Sequence, residues 1–154
     1  MSGYALIPAS YVALLRDGGR GTEVLLLRRS GTGYFDDHWA LLAGHVEEFE
    51  SATDAGCREA LEESGVIVAP ADLQMLTVMQ RCQRDGGPVE QRVDWFFSTR
   101  LWTGDPTVQE PDKASDMGWF PLSELPDPVV PHERLVLEGL ARGDLAAYLA
   151  YGFA

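Results

Sequence analysis

Short apolar runs alternate along the chain with polar, glycine-marked breaks. Ile7 to Arg16 is rich in Val, Ala, Leu and Tyr and predicts a strand. The Asp-Gly-Gly run at Asp17 predicts a turn, and Glu23 to Arg29 a second strand, so the two are expected to pair as a hairpin. Ser30 to His38 reads as a glycine-bearing loop, and Trp39 to Leu42 as a short apolar strand. The next segment has helical signals. Ser51 is an N-cap residue with Asp54 three positions on, in the manner of a capping box, and Gly65 stands where a C-cap glycine belongs. The helix is expected over Ala52 to Ser64, with Cys57, Ala60 and Leu61 turned towards a sheet. Val66 to Val68 predicts a short strand. Leu73 to Arg81 and Val93 to Leu101 predict two more, joined by a turn over 84–90. Gly118 to Pro126 predicts a strand end followed by a short turn of helix. Pro131 opens a final helix, about His132 to Arg142, and the tail from Asp144 to Ala154 is apolar without a clear period. Strands interrupted by two helices predict an α/β fold with a mixed sheet flanked by helices. The sequence contains no repeat and no linker, so one domain is expected over residues 1–154.

Composition narrows the partners. A chain of 154 residues with 45% hydrophobic content suffices for a single core. A formal net charge of −12 argues against a nucleic-acid polymer, whose phosphates need basic stripes, and against anionic membrane surfaces. A small nucleotide stays compatible, because a bound cation inverts the local field. The two cysteines, Cys57 and Cys82, suit a reducing compartment and are expected as small buried fillers. The N-terminal apolar run lacks a basic lead, and no apolar stretch approaches the ~20 residues of a membrane helix, so a soluble, cytoplasmic protein is expected.

The chemistry is concentrated between Gly44 and Val66. Glu59, Glu62 and Glu63 lie at i, i+3 and i+4, which places three carboxylates on one face of a helix. Like charges at that spacing repel and destabilise a bare helix. A hard cation removes the conflict, and oxygen-only ligands favour magnesium, manganese or calcium. The full pattern is G-x5-E-x7-R-E-U-x-E-E-x-G-U, where U is apolar. Gly44, Glu50, Arg58, Glu59, Glu62, Glu63 and Gly65 fill its fixed positions, with Ala60 and Val66 at the apolar ones. At ~7% usage per residue type, the seven fixed positions coincide by chance on the order of 10^-8 per window.

This pattern resembles the signature of the Nudix hydrolases, with no gap or mismatch. The resemblance implies an α/β/α sandwich around a central mixed β-sheet. It also implies hydrolysis of a nucleoside diphosphate linked to another moiety, with Mg2+ as cofactor and Mn2+ as a substitute. By resemblance, Glu59, Glu62 and Glu63 are metal ligands, joined by the main-chain carbonyl of Ala43. Glu59 is a candidate general base, and Glu110, in a downstream loop, is a candidate base or additional ligand. Arg58 lies four residues before Glu62 and is expected to orient the catalytic carboxylates, with Glu50 bracing Arg58 or the loop. Gly44 and Gly65 serve backbone geometry. Arg28 and Arg29 point to opposite faces of their strand, so one of them is a candidate for holding a terminal phosphate. His38 and His45 are expected as polar loop residues.

The box sets reaction type and leaves substrate open. The segment Asp116 to Pro126 resembles the one that follows the distal metal loop in oxidised-purine triphosphatases of the family. Those enzymes then place a tryptophan, a proline and two aspartates against the base. Here the matching residues are Val130, Pro131, His132 and Glu133, so oxidised-guanine specificity is not implied, and His132 and Glu133 become candidate substrate-binding residues. Phe35 is a candidate stacking surface, whereas Trp119 and Phe120 are expected in the core. Leu42 and Ala43 stand where many relatives have Pro-Gly, which predicts a change of shape with the carbonyl kept. The leading expectation is a nucleoside triphosphate pyrophosphatase that releases a monophosphate and pyrophosphate, acting as monomer or homodimer on a small-molecule nucleotide. A pyrophosphatase of ADP-ribose, sugar nucleotides or dinucleotides is the alternative. About forty residues before the box is short for the strand-swapping region such enzymes often carry. A non-catalytic nucleotide sensor is the third reading, and the complete set of box glutamates speaks against it.

Overall fold

The computed structural model describes residues 3–84 and 90–153. Eight strands and two helices follow in the order β1 (Ile7–Gly18), β2 (Gly21–Arg29), β3 (Trp39–Ala40), β4 (Leu42–His45), α1 (Ala52–Ser64), β5 (Gln74–Cys82), β6 (Gln91–Thr99), β7 (Ala114–Pro121), α2 (Pro131–Arg142) and β8 (Tyr148–Tyr151). The turn expected over 84–90 lies largely outside the described residues.

β1 organises the sheet. One edge of it pairs in parallel with β6 from Ile7 to Leu14. Its other edge is shared: the first half pairs with β4, Ala9 opposite His45 to Val12 opposite Leu42, and the second half with β2, Leu15 opposite Val24 to Gly18 opposite Gly21. β2 is divided in the same way. It meets β1 at its start and β3 further on, at Leu27 and Arg28, while β7 runs along its far edge. β1 and β2 therefore splay apart, and the segment 39–45 fills the fork, breaking at Leu41 as it passes from one strand to the other. β5 and β8 complete the sheet beyond β6, with β8 parallel to β5.

Burial on both faces explains why β1 and β2 read as nearly unbroken apolar runs. Tyr11, Ala13, Leu15, Val24 and Leu26 point to one side, where they join Phe96, Met79, Val136 and Leu137. Val12, Leu14, Leu25 and Leu27 point to the other and join Ala60, Val66 and Val68. Helix α2 covers the first side and α1 the second, which makes the α/β/α sandwich.

The caps of α1 are as the sequence implies. The Ser51 hydroxyl accepts from the Asp54 N–H at 3.1 Å, although only this half of a capping box forms. Gly65 takes a left-handed φ of 78°, and its N–H reaches the Leu61 carbonyl. Four expectations change. Leu61 is 50% exposed, because the buried stripe runs through Gly56, Ala60 and Ser64, four residues apart. Val66 to Val68 is not a strand: only Ile67 bridges, exchanging both backbone hydrogen bonds with Thr103, while its two neighbours fill the core. The expected helical turn after Phe120 is a plain turn, since the Leu122 N–H goes to the Thr22 carbonyl of β2. The ambiguous tail supplies β8.

Candidate active site

The fork between β1 and β2 leaves unpaired backbone on one edge of the segment 41–43. Alternate N–H groups of that segment, at Leu41 and Ala43, face the gap, and a carboxylate meets each. Glu63 of α1 accepts from the Ala43 N–H at 2.7 Å. Glu133 of α2 accepts from the Leu41 N–H at 2.7 Å. The carbonyl of Ala43 lies on the same edge by strand geometry. Each helix is thus tied to the fork by one glutamate, and a cavity of about 710 Å³ opens along the gap.

One end of the cavity is acidic. Ala43, Gly44, Glu59, Glu62, Glu63 and Glu110 all line it. Arg58 holds this end in shape. It donates from Nε to Glu50 at 2.8 Å, from Nη1 to Glu59 at 2.8 Å and to Glu62 at 3.3 Å, and from Nη2 to the His45 carbonyl at 2.9 Å. The Arg58 bonds hold the Glu50 carboxyl below its ordinary value. Burial pushes the Glu59 carboxyl up against the pull of Arg58. Glu63 is raised to about 8, chiefly by burial, and the Ala43 N–H only partly offsets this. Glu62 stays half-exposed. Gly44 packs against the Glu59 carboxylate so closely that a Cβ there would overlap it. Glu110 stands on the far loop, 3.5 Å from Lys113 Nζ.

Among the described residues these carboxylates are not already drawn into a metal cage. Glu63 is engaged with Ala43, and Glu59 with Arg58. The donor set nevertheless fits a hard divalent cation: four carboxylates and a carbonyl on one cavity wall, with no thiolate among them.

The other end is built from residues the sequence reading mostly passed over. His132 and Glu133 open α2 and are buried at 3% and 4% exposure. Burial pushes Glu133 up to about 8 and His132 well below its ordinary value. His132 Nε2 lies 3.2 Å from the Tyr11 hydroxyl. Arg81 donates to Asp94 at 2.5 Å and to the hydroxyls of Tyr34 and Tyr11 at 3.2 and 3.3 Å. Arg29 lines the cavity and donates to the Tyr34 carbonyl, while Arg28 stays outside it, 3.9 Å from Asp37. That separates the two arginines as strand alternation requires. Phe35 is 37% exposed and lines a second cavity of about 430 Å³, which shares Tyr34, Arg81 and His132 with the first. Trp119 stacks on Trp102 and Phe120 packs on Trp39, both partly buried against the core and away from the cavity. His45, expected as a plain loop residue, lines the cavity and contacts Arg92. A signal for the missed residues was present: Arg92 and Asp94 are charges placed two apart at the start of a strand whose middle is the apolar run Trp95 to Phe97.

The arrangement is one cleft with a carboxylate wall at one end and arginines at the other. Comparison with known proteins gives the family. The family model of the NUDIX domain matches residues 6–140. The chain belongs to the Nudix hydrolases, pyrophosphohydrolases that act on acid anhydrides. It is 32% identical over 119 residues to the NAD-capped RNA hydrolase NudC of Deinococcus radiodurans, a stretch that covers 77% of this chain and 39% of that protein. The chain therefore spans well under half the length of this curated relative. Its fold is similar to that of a MutT Nudix hydrolase from Burkholderia pseudomallei, with a TM-score of 0.77 and 30% identity, covering 87% of this chain and 97% of the other. It is also similar to the Nudix domain of Shewanella oneidensis NrtR, solved with ADP ribose, with a TM-score of 0.72 and 20% identity, covering 90% and 88%. Among the described residues no helix is long and apolar enough to cross a membrane.

Proposed function

We propose that the chain hydrolyses the phosphoanhydride of a nucleoside diphosphate linked to a further group, and that a nucleoside triphosphate, cut to monophosphate and pyrophosphate, is its first substrate class. The observation that supports this best is the convergence of Glu59, Glu62, Glu63, Glu110 and Ala43 on one wall of a cavity whose other end carries arginines. The five residues would hold magnesium, with manganese as a substitute. When bound, such a cation neutralises phosphate charge and lowers the pKa of a water that attacks phosphorus. Arg58 fixes the directions of Glu59 and Glu62, and Glu50 fixes Arg58. One of these carboxylates would serve instead as general base for the attacking water: Glu59 is the first candidate and Glu110 the second. Arg29 meets phosphate oxygens from the side opposite α1. His132 and Glu133 face the nucleoside at the inner end, where a neutral imidazole and a protonated carboxyl offer donors and acceptors to a base.

The second cavity favours one other reading. It adjoins the first across Tyr34, Arg81 and His132 and is rimmed by Phe35 and Tyr151, which suits the second half of a dinucleotide. The NudC relative and the ADP-ribose-bound NrtR domain support it by analogy. A substrate screen separates the two. Purified protein with magnesium is offered canonical and oxidised triphosphates, ADP-ribose, sugar nucleotides and dinucleotides. Pyrophosphate released from triphosphates supports the first reading, and monophosphates from dinucleotides alone the second. Turnover that persists in excess chelator refutes the metal-dependent scheme.

A further inference from the structure

Two arginines stand directly opposite each other in this acidic protein, Arg81 buried and Arg92 partly exposed. Arg81 of β5 and Arg92 of β6 are cross-strand partners, and both line the main cavity. Like charges directly opposite on adjacent strands are destabilising. Asp94 is two residues along β6 from Arg92, on the same face, and neutralises one of them. Its Oδ2 is taken by Arg81 Nε, and the two Arg81 Nη groups are taken by the hydroxyls of Tyr34 and Tyr11. Arg81 is therefore satisfied. Arg92 is not. Its Nη1 lies 3.0 Å from His45 Nε2, its buried Nε meets no partner, and it makes no salt bridge among the described residues.

Arg92 is also well placed. His45 follows Gly44, at the edge of the carboxylate wall, and its carbonyl is held by Arg58. Arg92 thus borders the acidic end, while Arg81 and Arg29 continue the positive wall inward. All three arginines line the same cavity as the buried His132. We propose that Arg92 is a phosphate-positioning residue, contacting oxygens of the substrate's diphosphate on the side turned away from the carboxylates. Arg81 and Asp94 hold it in register from the neighbouring positions of the sheet. This rests on the nucleoside-diphosphate reading above and adds to it a residue outside the signature box.

The test is calorimetric binding of ADP in saturating magnesium. Arg92→Gln is expected to weaken ADP on the order of ten- to hundred-fold, the range of a lost charge-assisted hydrogen bond. Arg92→Lys, which keeps the charge, is expected to recover part of the loss. Arg100→Gln serves as the control, because Arg100 is half-exposed, pairs with Asp17 and lies outside the cavity. Equal ADP affinity in Arg92→Gln and the unsubstituted chain overturns the assignment. So does a lowered melting temperature in Arg92→Gln with no recovery of binding in Arg92→Lys, since that marks a purely structural arginine. Failure of the unsubstituted chain to bind ADP overturns the nucleoside-diphosphate reading as well, and is distinct from either result.

Discussion

Helices α1 and α2 approach the same three-residue stretch, Leu41 to Ala43, from opposite faces and do different things with it. Each extends one glutamate to an unpaired N–H, Glu63 to Ala43 and Glu133 to Leu41, both at 2.7 Å. Around Glu63 stand further carboxylates and an arginine that braces them, on a face open to solvent at Glu62. Around Glu133 stand a buried histidine, a tyrosine and the Leu41 backbone. On the proposed reading the bond at one end positions a cation ligand, and at the other it gives a buried N–H its acceptor. Burial raises both carboxyls to about 8, but only Glu63 belongs to a donor set that a cation would rescue.

Removing the charge at the α1 end breaks the comparison most sharply. Glu62→Gln and Glu63→Gln are each expected to lower turnover by on the order of 10²–10⁴-fold, with the melting temperature little changed. Near-normal rates at saturating magnesium would remove these residues from the ligand set. At the α2 end the larger loss is in stability. Glu133→Ala leaves the buried Leu41 N–H without an acceptor, at about 1–3 kcal/mol. In a chain of this size that lowers the melting temperature by roughly 2–4 °C per kcal/mol. Glu133→Gln keeps an acceptor and is expected to lose less in thermal melts.

A pH series sharpens the contrast. Glu133 titrates near 8 in the fold, against an ordinary value of 4.5, so the folded protein holds this proton more tightly than the unfolded chain. Its contribution to stability is complete below about 4.5 and is lost as pH climbs towards 8. Glu133→Gln cannot lose it. Measured in chelator, the melting temperature of Glu133→Gln relative to the unsubstituted protein should rise steadily from pH 5 to pH 8, and a flat difference would refute the buried-acid assignment. The smallest effect is expected at Cys57, a partly buried filler on the sheet side of α1. Cys57→Ala should leave turnover unchanged, and a large loss would show that the thiol has a role.

Local signals carried most of what could be read in advance. The caps at Ser51 and Gly65 bounded α1 to the residue, because a hydroxyl and a left-handed glycine act within one turn. The carboxylate trio was legible from helix spacing, but the closest Arg58 bonds, to Glu50 in the preceding loop and to the adjacent Glu59, were not. What escaped was non-local. β8 forms only because β5 offers it an edge, and the tail has no pattern of its own. The division of β1 between β4 and β2 depends on pairings far apart in sequence. Tyr11, Arg81, Asp94 and Arg92 come from three strands, and no spacing in the chain predicts their meeting. His132 and Glu133 were singled out by position, but the bond from Glu133 to Leu41 becomes visible only once the fork exists.

That fork also makes the protein its own spectroscopic gauge. The amides of Leu41 and Ala43 sit two residues apart in one segment, yet each reports on a different helix. Proton exchange or chemical shift at Ala43 would register events at the carboxylate wall. The same signals at Leu41 would register the ionisation of a buried acid, so a single backbone stretch can time whether the two ends of the cleft respond together or in turn.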